Sequence, residues 1–375
     1  MAIVPLDVQM MFVEWVYRLS QHGGIDYATL RVCALVCKAW TSTAQRLLLR
    51  RPFPLFTHFS DKVLHLLLLM RTLRDRTLLL IRTLRDRPSL ATHILNMINI
   101  IIPNFEEKIS VDPQLTLLEL CPSVQRIEIH VHFTAYRQLE ALVAQLRSVG
   151  LRPVVLDVGG NEEVIHNIID MWPSVRVLHF ARLWLGESHD VHWSGRDVSS
   201  VEALSVPLHD ILTIPLDVDL PALRDVELTH CIWEDDSLRR WLFGTHMLSR
   251  IHTLRIAGPF PPHDVFKHIP CLESLAFDEL PEPDANISLA LPKTLRRVGY
   301  ILTDLLYPFE HEIERIEPFV SALRVLPELQ RVSATRLSSP HQLTMLREVC
   351  RERGVVFEVF EDASKVWRPQ NVDWI

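Results

Sequence analysis

From residue 93 onward, apolar residues recur in the pattern L-x-x-L-x-L, where L stands for any apolar residue. The copies begin at Leu95, Val124, Leu151, Val175, Val201, Leu223, Ile251, Leu272, Leu295 and Leu329, so successive starts lie 21 to 34 residues apart. In VQRIEI (124–129), LRDVEL (223–228) and IHTLRI (251–256), the alternation turns one side of a short strand into a core and the other outward. Pro122, Pro173, Pro221, Pro270 and Pro327 come just before copies, where proline ends the preceding element and favours an extended backbone. Between copies, apolar spacing near 3.6 predicts helices at 136–150, 162–172, 236–244, 262–269, 311–326 and 339–354, then a last strand at 355–360. A single unit of this size cannot bury its own apolar face, whereas stacked units can. The expected fold class is therefore α/β: over 93–375, a solenoid of parallel strands with helices on one side and an exposed strand face on the other.

The chain before residue 93 follows a different period. In residues 1–56, Pro5 suits a first helical turn, and Val8, Phe12, Trp15, Val16 and Leu19 follow at helical spacing. His22-Gly23-Gly24 breaks the pattern, and Asp26 can cap a second helix whose stripe is Leu30, Cys33, Val36, Cys37 and Trp40. A third stretch, TAQRLLLRRPF, ends at Pro52, so three helices are expected. Residues 57–92 read as a helical connector holding a tandem duplication: LLLMRTLRDRT (67–77) is followed by LLLIRTLRDRP (78–88). Eleven residues are about three helical turns, so both copies present the same face. Leu67, Met70, Leu73, Leu78, Ile81 and Leu84 form its expected apolar side, and Pro88 stops the helix.

Composition narrows the function classes. The chain has 375 residues, 48% hydrophobic and 23% charged, enough for a large core and unlike a disordered protein. Its net charge of −7 argues against a general nucleic-acid or anionic-membrane binder, and the connector arginines are interleaved with Asp75 and Asp86. Six scattered cysteines read as reduced thiols of an intracellular protein. Asp7 and Glu14, with no basic run before them, predict no signal peptide, and the apolar runs are shorter than the ~20 residues of a membrane helix. A cytoplasmic or nuclear location is expected.

No constellation of catalytic residues emerges. Val158-Gly159-Gly160-Asn161 lacks the further glycine and lysine of a phosphate loop, and no Gly-x-Ser-x-Gly elbow occurs. The pairs His130/His132, His189/His192 and Cys33/Cys37 lack partner ligands at metal spacing. Glu234-Asp235-Asp236 fits a helix start, and Glu279, Glu282 and Asp284 fit a solvated loop. The expectation is a non-enzyme with no catalytic residues, no cofactor and no metal.

The second-helix pattern, Leu30-x-x-Cys33-x-x-Val36-Cys37-Lys38-x-Trp40, resembles that of F-box proteins, with Val4-Pro5 and Asp7 standing where Leu-Pro and an acidic residue are usual. The loop at 20–26 lengthens the usual connection, and similar longer forms occur in F-box-like proteins of basidiomycete fungi. The repeat spacing, averaging about 26, resembles that of irregular leucine-rich repeats, which run roughly 20–29 residues. LRDVELTHC, ending at Cys231, comes nearest the full repeat pattern of that family. The resemblance implies a substrate-recognition subunit of a cullin–RING ubiquitin ligase. Pro5, Leu6, Val8, Phe12, Leu30, Val36 and Trp40 would dock on a Skp-type adaptor, and the repeats would hold a protein substrate. A freestanding repeat scaffold with a degenerate F-box is the alternative.

Overall fold

A computed structural model describes residues 40, 44, 77–94, 96–102, 112–131, 143, 144, 146–159, 168–180, 199–207, 220–229, 248–258, 260–262, 264–280, 291–301, 312–335 and 340–360. The chain divides into two compact units, one running through Val175 and the other starting at Arg176. Each is considered by itself.

In the first unit, residues 77–86 are helical and stop at Arg87, before a 3-10 turn at Pro88–His93 with proline in its first positions. Proline fits there because the first turn needs no amide donor. The buried stripe of the helix is Thr77, Ile81 and Leu84, whereas Leu78 is 39% and Leu79 65% exposed. The expected apolar side thus shifts by one residue: Thr77, at i−4 from Ile81, takes the place assigned to Leu78. Three parallel strands follow: β1 (Asn96–Ile102), β2 (Arg126–Val131) and β3 (Val155–Gly159). Between β1 and β2 lies a helix absent from the sequence reading, α1 (Asp112–Leu120), which buries Leu115, Leu117 and Leu118. Arg126 pairs with Val155, so the residue equivalent to Val124 is Pro153, and the third copy is phased two residues later than Leu151 implies.

The second unit carries eight parallel strands: β4 (Val177–Phe180), β5 (Ala203–Pro207), β6 (Asp225–Thr229), β7 (Thr253–Ala257), β8 (Ser274–Phe277), β9 (Arg297–Tyr300), β10 (Arg331–Thr335) and β11 (Val356–Phe360). Each pairs with its sequence neighbours in order. The pattern L-x-x-L-x-L becomes rows running across the strands. Leu178, Leu204, Val226, Leu254, Leu275, Val298 and Val332 form one row, and Phe180, Leu228, Ile256, Phe277, Tyr300 and Ala334 another, all buried. Burying one such aliphatic or aromatic side chain stabilises by about 1.5–3 kcal/mol. The first apolar residue closes a turn in several copies: the amides of Leu223, Ile251, Leu272 and Leu295 donate to carbonyls of Leu220, Leu248, Ile269 and Pro292, as that of Val175 does to Trp172 at the end of the first unit. Pro173, Pro221 and Pro270 stand exposed inside these turns, where their missing donors cost nothing.

The linkers differ along the unit. Before β8 the predicted helix at 262–269 is a single 3-10 turn, Val265–His268, burying Val265 and Phe266. Eight residues with three apolar positions are too few to support a stable helix. Before β10 and β11 full helices appear: α2 (Glu312–Val325) and α3 (Pro340–Arg353). Gly354, at φ 66, ends α3, and the Val355 amide reaches back to the Cys350 carbonyl at 2.8 Å. The left-handed turn favours glycine there. Arg353 donates to the carbonyls of Leu323 (3.4 Å), Arg324 and Leu326 (2.6 Å), capping the end of α2 from the last turn of α3. Within α2, Phe319 is fully buried and meets Phe277 edge-on, with ring centroids 5.1 Å apart.

Candidate functional site

The first candidate surface is the N-terminal block. Trp40 is helical and half-buried, and Ala44, one turn on, is helical and fully buried. Pro5, Leu6, Val8, Phe12, Leu30 and Val36 lie outside the described residues, as do Cys33 and Cys37.

The second candidate is the strand face opposite the core rows. The outward face alternates between buried and more exposed positions, with Glu227, Arg255 and Arg297 half-buried and Arg331 exposed. Val177, Ala203, Asp225 and Thr253 are all under a tenth exposed, as are Ala276 and Ser333 on the neighbouring row. In the first unit Val155 and Asp157 are likewise buried. Alanine, serine and threonine recur at these outward positions, where longer side chains on the same face shield them. The charges that remain answer one another across adjacent strands. Arg126 meets Asp157 at 2.7 Å, and Arg255 meets Glu227 at 2.6 Å with both side chains 16% exposed. Asp225 sits one position from Glu227 on the same face; burial raises its pKa above the ordinary value, against the lowering effect of its hydrogen bond with Thr253.

Exposed side chains gather instead at the residue just before each strand. There the carbonyl oxygens of Arg176, Glu202, Arg224, His252, Glu273 and Arg296 each accept two successive amides from the next repeat, at 2.7–3.1 Å. In the first unit Gln125 does the same for Val154 and Val155. The shared carbonyl brings the chain into register before the ladder starts. The side chains at this position alternate in charge along part of its length: Arg176 pairs with Glu202 at 2.5 Å, and Arg296 with Glu273 at 3.6 Å. Glu202 and Glu273 offset two of the three arginines, which leaves too little net charge to select a strongly charged partner.

At the far ends of β7 and β8, Asp278 accepts a hydrogen bond from the Gly258 amide at 2.6 Å. Its pKa is pushed up to about 6, first by burial and then by Glu279, against the lowering effects of the Gly258 amide and Arg255. Phe260, just beyond Gly258, packs edge-on to Phe277 (5.0 Å) and tilted to Phe266 (5.8 Å). A carboxylate held by backbone amides beside this aromatic cluster is a tether between two loops, and no nucleophile accompanies it among the described residues.

The remaining chemistry assigned from sequence resolves as follows. Gly159 ends β3, while Gly160, Asn161, His132, His189, His192, Glu234, Asp235, Asp236, Glu282 and Asp284 lie outside the described residues. His130 lies in β2 between Ile101 and Gly159 in register. Burial pushes the Cys121 thiol up to about 12 and the Cys350 thiol to about 11, which keeps both protonated and unreactive. Among the described residues no group of three or more His, Cys, Asp or Glu could hold a metal ion, and no helix is long and apolar enough to cross a membrane. The shared carbonyls leave no mark in the sequence, whereas the buried outward positions are marked by recurrent Ala, Ser and Thr at alternate strand positions.

Sequential parallel strands, each paired to its chain neighbours through repeated rows, define a parallel α/β repeat protein of solenoid type. No protein-family description matches the sequence, and no curated protein matches it. Among solved structures, one described as "Crystal structure of TLR13-ssRNA13 complex" is similar over 73% of this chain, at 11% identity and a TM-score of 0.29. The chain spans about a third of that chain's length, 34%.

Proposed function

We propose that this protein is the substrate-recognition subunit of a cullin–RING ubiquitin ligase. Its N-terminal helices dock on a Skp-type adaptor, and its leucine-rich-repeat-like solenoid holds a protein substrate. The observation that carries the reading is the pattern Leu30, Cys33, Val36, Cys37, Lys38 and Trp40 at F-box spacing, placed ahead of stacked parallel repeats. Docking is an apolar helix-in-groove event made by Pro5, Leu6, Val8, Phe12, Leu30, Val36 and Trp40. The protein performs no chemistry itself and works inside the cell with no cofactor or metal. Its contribution is to raise the effective concentration of substrate at the ligase.

The test is co-expression of the full chain with a Skp-type adaptor. A stable equimolar complex is expected, and Pro5→Ala combined with Leu6→Ala should release the adaptor while leaving the chain folded. Failure of the wild-type chain to co-purify would overturn the reading. That result would favour the freestanding scaffold, which Val4 in place of leucine and the lengthened 20–26 loop already support.

A further inference from the structure

The last strand among the described residues departs from the rows it extends. Phe357 and Val359 continue the two core rows, being the register partners of Val332 and Ala334. Val332 and Ala334 are fully buried, but Val359 is 40% exposed and Val356, on the opposite face, is 52% exposed. Among the described residues β11 hydrogen-bonds to β10 alone. The Val356 amide donates to the Gln330 carbonyl. Successive strand residues point their backbone groups to alternate sides. Val356, Glu358 and Phe360 therefore turn theirs toward β10, and Phe357 and Val359 turn theirs to the outer edge. Exposed strand edges are ordinarily blunted by charge, proline or a bulge. Here the outer edge carries Val-Phe-Glu-Val-Phe.

That sequence is self-complementary when paired antiparallel about Glu358. Phe357 then faces Val359 of a second copy, and Val359 faces its Phe357. These are the residues whose backbone groups point outward, so both pairs exchange amide–carbonyl bonds. Val356 faces Phe360 and Glu358 faces Glu358, both as non-hydrogen-bonded pairs. Aromatic against β-branched is a favourable cross-strand pair, and four of them form. The unfavourable contact is Glu358 against itself, but each Glu358 already has Arg331 of its own chain at 3.5 Å, so the central cluster is neutral. Phe357 is also steadied from its own chain, with the Arg347 guanidinium 5.9 Å from the ring centroid. We propose that β11 is a homodimerisation edge: two copies of this chain join their sheets by antiparallel β11–β11 pairing centred on Glu358. A two-fold axis closes the contact, which therefore does not propagate into fibres.

The register makes the test specific. Directly opposed residues of a non-hydrogen-bonded pair have Cα atoms about 4.5 Å apart, within disulfide reach. In the full chain, Glu358→Cys should give a disulfide-linked dimer on mild oxidation, while Val356→Cys, which faces Phe360, and the wild type should not. Sedimentation velocity should show a concentration-dependent dimer for wild type. Val359→Pro removes an outward donor without removing a bond to β10, and should yield monomer. Val356→Lys is a second variant with no backbone change, and should also yield monomer. A wild-type chain that stays monomeric at every concentration would overturn the proposal. So would cross-linking equal at positions 356 and 358, or a dimer that survives both Val359→Pro and Val356→Lys.

Discussion

Strand β8 has a neighbour on each side, β7 and β9, whereas β11 has β10 alone among the described residues. Both strands carry the same alternation. In β8, Leu275 and Phe277 are fully buried. In β11, Phe357 is half-buried and Val359 is 40% exposed. Their approaches differ too: a 3-10 turn leads to β8, and the 14-residue α3 to β11. A longer helix has not made a better-closed core. Burial in a stack of repeats is set by whether a second strand arrives, because each repeat's apolar rows are completed by the next repeat's rows and not by its own linker.

Truncating matched core-row residues should therefore cost very different amounts. Phe277 touches the rings of Phe260, Tyr300 and Phe319 at centroid distances of 5.0, 6.0 and 5.1 Å. Phe277→Ala should destabilise by about 3–5 kcal/mol, since no neighbour can collapse into a site shared by three rings. Val359→Ala should cost under about 1 kcal/mol. Urea denaturation of dilute full-length chain measures both. Equal losses would mean that β11 is as fully packed as β8.

The interior also has a pH signature. Asp278 lies at the C-terminal end of β8, and its pKa is raised from an ordinary 3.8 to about 6. A carboxyl with a raised pKa holds its proton more tightly folded than unfolded. Its favourable contribution is thus complete below the unfolded value and is lost as pH climbs to the folded one. Stability should fall as pH rises from about 4 to about 6 and contribute no slope beyond. Asp278→Asn keeps an oxygen for the Gly258 amide and removes the buried charge. It should erase that part of the slope and stabilise by about 1–2 kcal/mol at neutral pH. A variant with the wild-type slope would place the titration elsewhere.

The parts of this fold legible in the sequence are those where one local signal decided the matter. Proline at 88 did stop a helix, the periodic runs at 311–326 and 339–354 do form α2 and α3, and the final strand forms at β11. The departures have physical causes. In LRPVVLDV the apolar residues are nearly continuous, so the strand phase was settled by pairing with Ile127 and Ile129 and not by alternation. At 262–269 the apolar spacing was helical but the segment too short. For α1 the start signal, Asp112 followed by Pro113, is present, but nine residues are short for a helix identified from spacing alone. How far the outward positions are shielded depends on the side chains of neighbouring strands, which no single strand encodes. The F-box residues, apart from Trp40, lie outside the described residues, so their reading rests on sequence pattern alone.

The smallest expected difference between interior and end lies in their ion pairs, and it tests the same idea with electrostatics in place of packing. Arg255–Glu227 joins β7 to β6 with both side chains 16% exposed; Arg331–Glu358 joins β10 to β11 with exposures of 46% and 33%. The chemistry is the same and only the surroundings differ. Water around the outer pair raises the local dielectric and lets salt screen it, so a double-mutant cycle with Arg331→Gln and Glu358→Gln should give a coupling of about 0–0.5 kcal/mol. The inner pair is flanked by strands on both sides and is held at 2.6 Å. Its coupling, from Arg255→Gln and Glu227→Gln, should be about 1 kcal/mol and should survive added salt better. Dimerisation through β11 would alter the comparison, because it would withdraw the outer pair from water and set two Glu358 carboxylates face to face. The cycles should therefore be run both dilute and concentrated. If the outer coupling grows with protein concentration while the inner one stays fixed, a second strand has arrived at the edge.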